Sequence, residues 1–186
     1  MIQVLSVTSE CVPLVKTGGL ADVAGALPAA LAGDDVRMRT LLPGYPAVMA
    51  EASALTAEAG VSFDDLFGGP ARVLEGTVKG VDLLVLDAPH LYDRPGSIYL
   101  GADGRDWPDN DVRFAALSWV AAQIGLHGAG DWRPDLIHGH DWQAGLAPEY
   151  LRAAGSDLPC IMTVHNIAFH GLTPATAMGR LKLDPA

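Results

Sequence analysis

The chain has little cysteine, little positive charge and no long apolar run. Its two cysteines, Cys11 and Cys160, show no C-x-x-C spacing. That excludes a disulfide framework and suits a reducing cytosol, so the expected location is cytoplasmic. Lys and Arg total 12 against 22 Asp and Glu, a net charge of −10. A nucleic-acid surface would be basic, so no nucleic-acid partner is expected. No segment reaches the ~18 apolar residues needed to cross a bilayer. Met1 is followed almost at once by a strand-like run, without a basic n-region or an apolar h-region. Neither a membrane anchor nor a signal peptide is expected. There is no internal repeat and no low-complexity tract. What remains is a chain of 186 residues, 49% hydrophobic and 18% charged, which fits one domain with a proper core.

Apolar runs alternate with helical patterns along the chain. Ile2 to Thr8 reads as a first buried strand. Leu20, Val23, Ala24, Leu27 and Leu31 follow helical spacing, with a kink expected near the Ala24 carbonyl because Pro28 removes a backbone hydrogen bond. Val36 to Leu42 reads as a second strand, stopped by Pro43-Gly44, and Ala47 to Leu55 as a short helix. Ala71 to Val78 and Val81 to Asp87 read as a hairpin around Lys79-Gly80. The stretch from Ala88 to Asp109 is rich in Pro, Gly and Asp; loops of that length are often functional. Asp109 or Asn110 is placed to cap a helix with an apolar face of Phe114, Leu117, Ala121 and Ile124. Leu136 to His138 is a short strand. Asp141 then sits where an N-cap belongs, for a helix to about Ala154 that is bent by Pro148 and stopped by Gly155. Cys160 to Val164 is a fully apolar strand, and Ala177 to Leu183 is helix-like, as though the chain continued. The alternation predicts an α/β fold, a Rossmann-like parallel sheet flanked by helices on both faces.

The run Lys16-Thr17-Gly18-Gly19-Leu20-Ala21-Asp22-Val23 lies at the first strand-to-helix turn. Gly18 and Gly19 carry no Cβ, so the backbone can turn tightly and approach a ligand. The first N–H groups of a helix lack intrahelical partners, and the helix dipole favours negative charge there. Lys16 adds a point charge. The loop is neither a Walker A motif nor a dinucleotide fingerprint. It reads either as an anion site or as a structural turn with a solvated lysine. Glu10 and Asp22 flank it; next to a phosphate they would repel, so they are read as hydroxyl or lysine partners. Asp22 also sits favourably in the first helical turn.

In parallel α/β sheets ligands collect at the carboxyl ends of strands. The loop after Val7, the turn His138-Gly139-His140-Asp141 and the turn His165-Asn166 all fall there. His165 and Asn166 supply donors and acceptors suited to sugar hydroxyls. Asp141 serves equally as an N-cap or as a hydroxyl ligand, and Trp142 reads as core rather than as a stacking platform. His138 and His140 share a face if extended, and His165 or His170 would make a third metal ligand. No acidic residue stands at a metal-like spacing, so no metal is expected. Tyr92 and Arg94, in the long loop, contact a ligand or lie in an exposed Pro-Gly turn.

The string Ser9-Glu10-Cys11-Val12-Pro13-Leu14-Val15-Lys16-Thr17-Gly18-Gly19-Leu20-Ala21-Asp22-Val23 resembles the N-terminal signature of bacterial glycogen synthases and plant starch synthases. These are retaining glucosyltransferases of the GT-B fold that use ADP-glucose. Leu91-Tyr92-Asp93-Arg94-Pro95-Gly96, the stretch from Asp135 to Gly145 and the stretch from Thr163 to Gly171 resemble the same family in the same order. The resemblance covers nearly the whole chain. It implies that residues 1–186 form the N-terminal, acceptor-side domain, the N-terminal half of a GT-B fold. The implied reaction moves glucose from ADP-glucose to the non-reducing end of an α-1,4-glucan. The implied catalytic residues are His165 and Asp141. His165 lies beside the transferred glucose, with its main-chain carbonyl facing the developing positive charge. Lys16, Gly18, Gly19, Asp22, Tyr92 and Asn166 are the implied substrate-binding residues. No cofactor is expected.

Family enzymes are more than twice as long, and their second Rossmann domain carries most ADP contacts. The implied partners are therefore ADP-glucose, glycogen and a missing C-terminal domain, and the chain alone is expected to be inactive. Gln143 stands where relatives often have His, and Phe169-His170 where they often have Tyr-Gln. A transferase of the same architecture using UDP-glucose or sucrose, or a non-catalytic glucan-binding domain, are the alternatives.

Overall fold

A computed structural model describes residues 1–51 and 55–183. Its strands are β1 (Ile2–Val7), β2 (Val36–Pro43), β3 (Leu55–Phe63), β4 (Ala71–Val78), β5 (Val81–Asp87), β6 (Leu136–His140) and β7 (Cys160–Thr163). Its helices are α1 (Gly19–Leu31), α2 (Pro46–Met49), α3 (Pro89–Tyr92), α4 (Asn110–His127) and α5 (Ala147–Ala153). The strands form one sheet in the order β3-β4-β5-β2-β1-β6-β7. The five strands from β5 to β7 are parallel. β4 runs antiparallel to both β3 and β5, so the sheet is mixed. Among the described residues no helix is long and apolar enough to cross a membrane.

The step β1–α1–β2 moves one way along the sheet and β5–α4–β6 moves the other. Crossovers of the same hand therefore put α1 and α4 on opposite faces. Side chains alternate along each strand, so register assigns the two faces. Leu5, Val7, Leu41, Ile137 and Gly139 share one face. Its apolar members pack in the main core with Phe114, Leu117, Val120, Ala121 and Ile124 of α4. Gly139 leaves room there: a Cβ would come within 2.6 Å of Met162 Sδ and 3.1 Å of Ala144 Cβ, so the Met162 side chain would have to shift. The opposite face carries Val4, Ser6, Met38, Thr40, His138 and His140, a partly polar row.

Several expected boundaries move. Of the expected 47–55 helix only residues 47–49 are helical, within Pro46–Met49; residues 52–54 lie outside the described residues, and Leu55 opens β3 instead. β3 is rich in Ala, Glu and Gly, poor strand formers, so pairing with β4 rather than propensity holds it, with two register shifts. The β4–β5 turn is as expected: Lys79 and Gly80 both have positive φ, 50° and 87°, which suits a two-residue hairpin. The helix expected from Asp141 breaks into a 3₁₀ turn at Trp142–Ala144 and α5. Pro148 lies in the first turn of α5, where its missing N–H costs nothing, so it starts the helix rather than bending it. Gly155, at φ 70°, follows the end of α5. β7 is an edge strand, with Ile161 in it and Val164 just after it more than half exposed.

One buried cation fixes the long loop to α4. Arg113 is 1% exposed. Its Nε donates to the Leu91 carbonyl at 2.8 Å, and its Nη1 to the Ile98 carbonyl and Asn110 Oδ1, both at 2.7 Å. Tyr92 is fully buried on top of it, donating through its hydroxyl to the Arg113 carbonyl at 2.6 Å and meeting Tyr45 edge-on. The loop from Ala88 to Asp109 is thus anchored from beneath at both ends of its central span. Replacing Arg113 by Leu leaves two carbonyls and an amide oxygen buried without donors. It is expected to lower stability by about 3 kcal/mol or more, measured by chemical denaturation of this chain; a loss under about 1 kcal/mol contradicts the anchoring role.

Candidate active site

A cleft of about 690 Å³ opens at the carboxyl ends of β1, β6 and β7. Its wall comes from four segments: Glu10 after β1, Thr17 to Leu20 at the start of α1, Ser97, Tyr99 and Leu100 with Asp106 from the long loop, and Asp141 to Gln143 with His165, Asn166 and Phe169. The three strand-end turns therefore meet, as fold class alone requires. The lining holds three carboxylates and no Lys or Arg.

Glu10 organises the first wall. It is 3% exposed. Its Oε2 accepts from the Thr17 N–H and, at 3.1 Å, from the Gly18 N–H. Its Oε1 accepts from Thr17 Oγ1 at 2.6 Å and from the Tyr99 hydroxyl at 2.7 Å. Since the Tyr99 proton goes to Glu10, Ser9 Oγ, 2.7 Å away, donates to the Tyr99 oxygen. Burial, with the Glu10 charge beside it, raises the Tyr99 pKa, so the phenol stays a donor. The Gly18 amide, expected to face an anion, is thus spent on Glu10, while Gly19 and Leu20 at the start of α1 line the cleft.

Lys16 and Asp22 are absent from the lining. They form a two-pronged surface pair, 2.7 Å to each oxygen, with both side chains half exposed. Such a pair adds little stability. Tyr92 is a correction: it is interior, bonded to Arg113, and never reaches the cleft. Arg94 instead clamps Asp109, at 2.7 and 2.5 Å, and lies over Trp107. That clamp also explains why Asp109, at the N-cap of α4, makes no cap hydrogen bond.

Asp141 corrects the cap reading. It makes no cap bond; its Oδ1 accepts the His165 N–H at 2.6 Å, and its own N–H donates to the Thr163 carbonyl at 2.9 Å. Its backbone sits at φ 55°, ψ −172°, a region that a side chain makes costly, on the order of 1–3 kcal/mol. The strain turns its carboxylate across to the tip of β7. Asn166 lines the cleft next to His165 and accepts the Ala168 N–H at its Oδ1, 2.9 Å. Trp142 combines both of its readings: it meets Phe114 of the core edge-on at 5.0 Å and also lines the cleft. Gly171, at φ 60°, lets the later loop lie against its indole.

His138 and His140 do share a face, ring centres 4.4 Å apart. Three of their four nitrogens are engaged within the protein: His138 Nε2 with Thr163 Oγ1 at 2.7 Å, His140 Nε2 with Ser6 Oγ at 3.2 Å, and His140 Nδ1 with His165 Nε2 at 2.9 Å. Among the described residues no group of three His, Cys, Asp or Glu is placed to hold a metal.

Tyr99, Glu10 as a hub and the His140–His165 contact were not singled out from the sequence. The signal for Tyr99 was its position just after the Gly96-Ser97 turn. Tyr92 follows Pro89 and Leu91 in a short helical turn, the kind of apolar pair that faces inward.

Burial, together with the charges that His138 and His165 would carry, lowers the His140 pKa from 6.5 to about 3. The folded state then binds no proton at His140 where the unfolded chain does. Its stability contribution is complete above about pH 6.5 and is lost as pH falls towards about 3. His140→Asn is expected to flatten the loss of stability between about pH 6 and 4, by up to a few kcal/mol relative to the parent, read by denaturation at stepped pH. Parallel curves for the two proteins contradict a neutral, buried His140.

Residues 3–186 match the family model described as the starch synthase catalytic domain. The chain is 60% identical over 185 residues to a glycogen synthase of Jannaschia sp. (strain CCS1), covering all of this chain and 38% of that protein. It is 62% identical to a glycogen synthase of Paracoccus denitrificans (strain Pd 1222), covering 98% of this chain and 39% of that one. It superposes with TM-score 0.73 and 25% identity on the catalytic domain of starch synthase IV from Arabidopsis thaliana, solved bound to ADP and acarbose, over 98% of this chain and 38% of that chain. The chain thus spans under two-fifths of the length of these relatives. The fold matches part of a GT-B glycosyltransferase catalytic domain, and this chain belongs to the starch synthase catalytic domain family.

Proposed function

We propose that this chain is the N-terminal, acceptor-side domain of a cytoplasmic glycogen synthase. The complete enzyme transfers glucose from ADP-glucose to the non-reducing end of an α-1,4-glucan with retention, and a second nucleotide-binding domain closes the other side of the cleft. The observation that carries this reading is the character of the lining: carboxylates, a phenol, two amides and aromatic rings, with no Lys or Arg. Such a surface suits a neutral polyol, whose hydroxyls donate to carboxylates and whose C–H faces rest on rings. It does not suit the diphosphate itself.

On this reading Asp141, His165 and Asn166 hold the transferred glucose, Glu10 and Tyr99 shape the neighbouring wall, and the His165 carbonyl faces the anomeric carbon. As the bond to the diphosphate breaks, positive charge grows on the glucosyl group and negative charge on the leaving phosphate. The N–H groups of Gly19 and Leu20 at the start of α1 lie towards that phosphate. Lys16, released from Asp22, adds a smaller contribution. The larger share of compensating charge comes from the second domain.

The test uses the complete two-domain enzyme. ADP release from ADP-glucose is expected to depend on added glycogen, and this 186-residue chain alone is expected to release none. Equal use of UDP-glucose would move the reading to a related sugar-nucleotide transferase; steady turnover by the isolated chain would remove the two-domain assignment. A second outcome concerns backbone strain. Asp141→Gly relieves the strained φ but removes the carboxylate. It is expected to leave stability within about 1 kcal/mol of the parent while lowering kcat about 100-fold or more. A large stability loss with normal kcat would make Asp141 a structural residue only.

A further inference from the structure

The polar row opposite the main core has an order that the reaction, as described, does not use. Ser6 and Thr40 are Cα partners across β1 and β2, and Ser6 pairs with His138 on β6. Ser6, Thr40 and His140 are all 0% exposed. His140 touches Ser6 Oγ through Nε2, at 3.2 Å, and His165 Nε2 through Nδ1, at 2.9 Å.

The protons of this chain can be counted. A neutral imidazole has one N–H and one lone pair. If the His140 proton sat on Nε2, it would be donated to Ser6 Oγ. The Ser6 hydroxyl hydrogen would then be buried without an acceptor, since among the described residues His140 is the hydroxyl's hydrogen-bond partner. Its register neighbour Thr40 Oγ1 is unpartnered as well. An unmet buried donor costs roughly 1–3 kcal/mol. The other order satisfies both the Ser6 hydroxyl and the two His140 nitrogens: Ser6 O–H donates to His140 Nε2, and His140 Nδ1–H donates to His165 Nε2. His165 then carries its own proton on Nδ1. His165 lines the cleft, and its Nδ1 has no partner among the described residues.

We propose that Ser6 and His140 are positioning residues that fix His165 as its Nδ1–H tautomer, so that it offers the cleft an N–H donor rather than a lone pair. The inference rests on the reading of the cleft as a glucosyl site. Free imidazole exchanges its tautomers, and a His165 in the other form would present a bare nitrogen to the sugar oxygen it is meant to bind. The main-chain N–H of His165, held by Asp141, fixes the backbone while the Ser6–His140 pair fixes the ring. Together they define one donor direction.

Ring-nitrogen ¹⁵N shifts of this chain, recorded near pH 8 where free histidine is neutral, read the tautomers directly. The expected result is a bare Nε2 and a protonated Nδ1 on both His140 and His165. Ser6→Ala, a small change, is expected to mix the tautomers of both rings. A protonated His165 Nε2 in the parent, or unmixed tautomers in Ser6→Ala, overturns the proposal.

In the complete enzyme Ser6→Ala is expected to lower kcat about fivefold, the loss of a hydrogen bond made part of the time, with KM within about twofold. His140→Asn, whose Nδ2–H replaces Nδ1–H, retains most of kcat, whereas His140→Leu loses it. Mixed tautomers with unchanged kcat in Ser6→Ala remove the positioning role. Absence of glucosyl transfer in the parent enzyme would instead sink the functional reading and leave the tautomer assignment standing.

Discussion

The Glu10 carboxylate receives four donors, from the Thr17 N–H and hydroxyl, the Gly18 N–H and the Tyr99 hydroxyl, and the rest of the cleft is arranged around that junction. The carboxylate is nearly sealed from water, so each donor replaces a hydration bond it has lost. Two segments distant in sequence are thereby forced together: the glycine loop that opens α1, and the long loop after β5. Neither has a strong fold of its own. The glycine loop has no side-chain cap at Gly18, and the 88–109 loop is held from below by Arg113 donating to Leu91 and Ile98. Glu10 above and Arg113 below convert a long surface loop into a fixed wall.

The sheet divides its duties between its faces. The α4 face is a close-packed apolar core that sets stability, where a Cβ at Gly139 would press on Met162 and Ala144. The other face carries Ser6, Thr40, His138 and His140 across adjacent strands. Burying that many polar groups gains nothing for stability over apolar packing. Thr40 Oγ1 is left without a partner. Local inconsistency of this kind concentrates where function constrains the residues. The strained backbone of Asp141 lies at the end of the same strand, next to His140.

Much of this was legible in the sequence, and the misses have physical causes. Six of the seven strands were read from apolar runs or a two-residue turn. β3 was not, because Leu-Thr-Ala-Glu-Ala-Gly carries no strand pattern and is held by its neighbour. The rim location of the glycine loop, Asp141, His165 and Asn166 followed from topology. The role of Asp141 did not. A cap and a strand-to-strand clip use the same residue type, and only the positive φ separates them. Tyr92 and Tyr99 are both tyrosines of one loop, and the choice between them depends on which one Arg113 draws inward. The Ser6–His140–His165 contact required the register of β1 against β6, which no single-sequence pattern contains.

The charge of the site follows from the same geometry. Three carboxylates line the cleft without Lys or Arg, Lys16 is turned to Asp22, and the chain as a whole carries −10. A diphosphate entering such a field is disfavoured unless positive groups arrive with it or close over it. The free N–H groups at the start of α1 amount to about half a unit charge, against at least two on the phosphates. A neutral glucan meets no such barrier. On the proposed reading this asymmetry does useful work: the acidic wall admits sugar in advance of the nucleotide's charge being neutralised, and it leaves that neutralisation to the domain that closes over it. Chemistry then waits on closure, because only the closed cleft combines the hydroxyl-binding wall with enough positive charge to stabilise the leaving group.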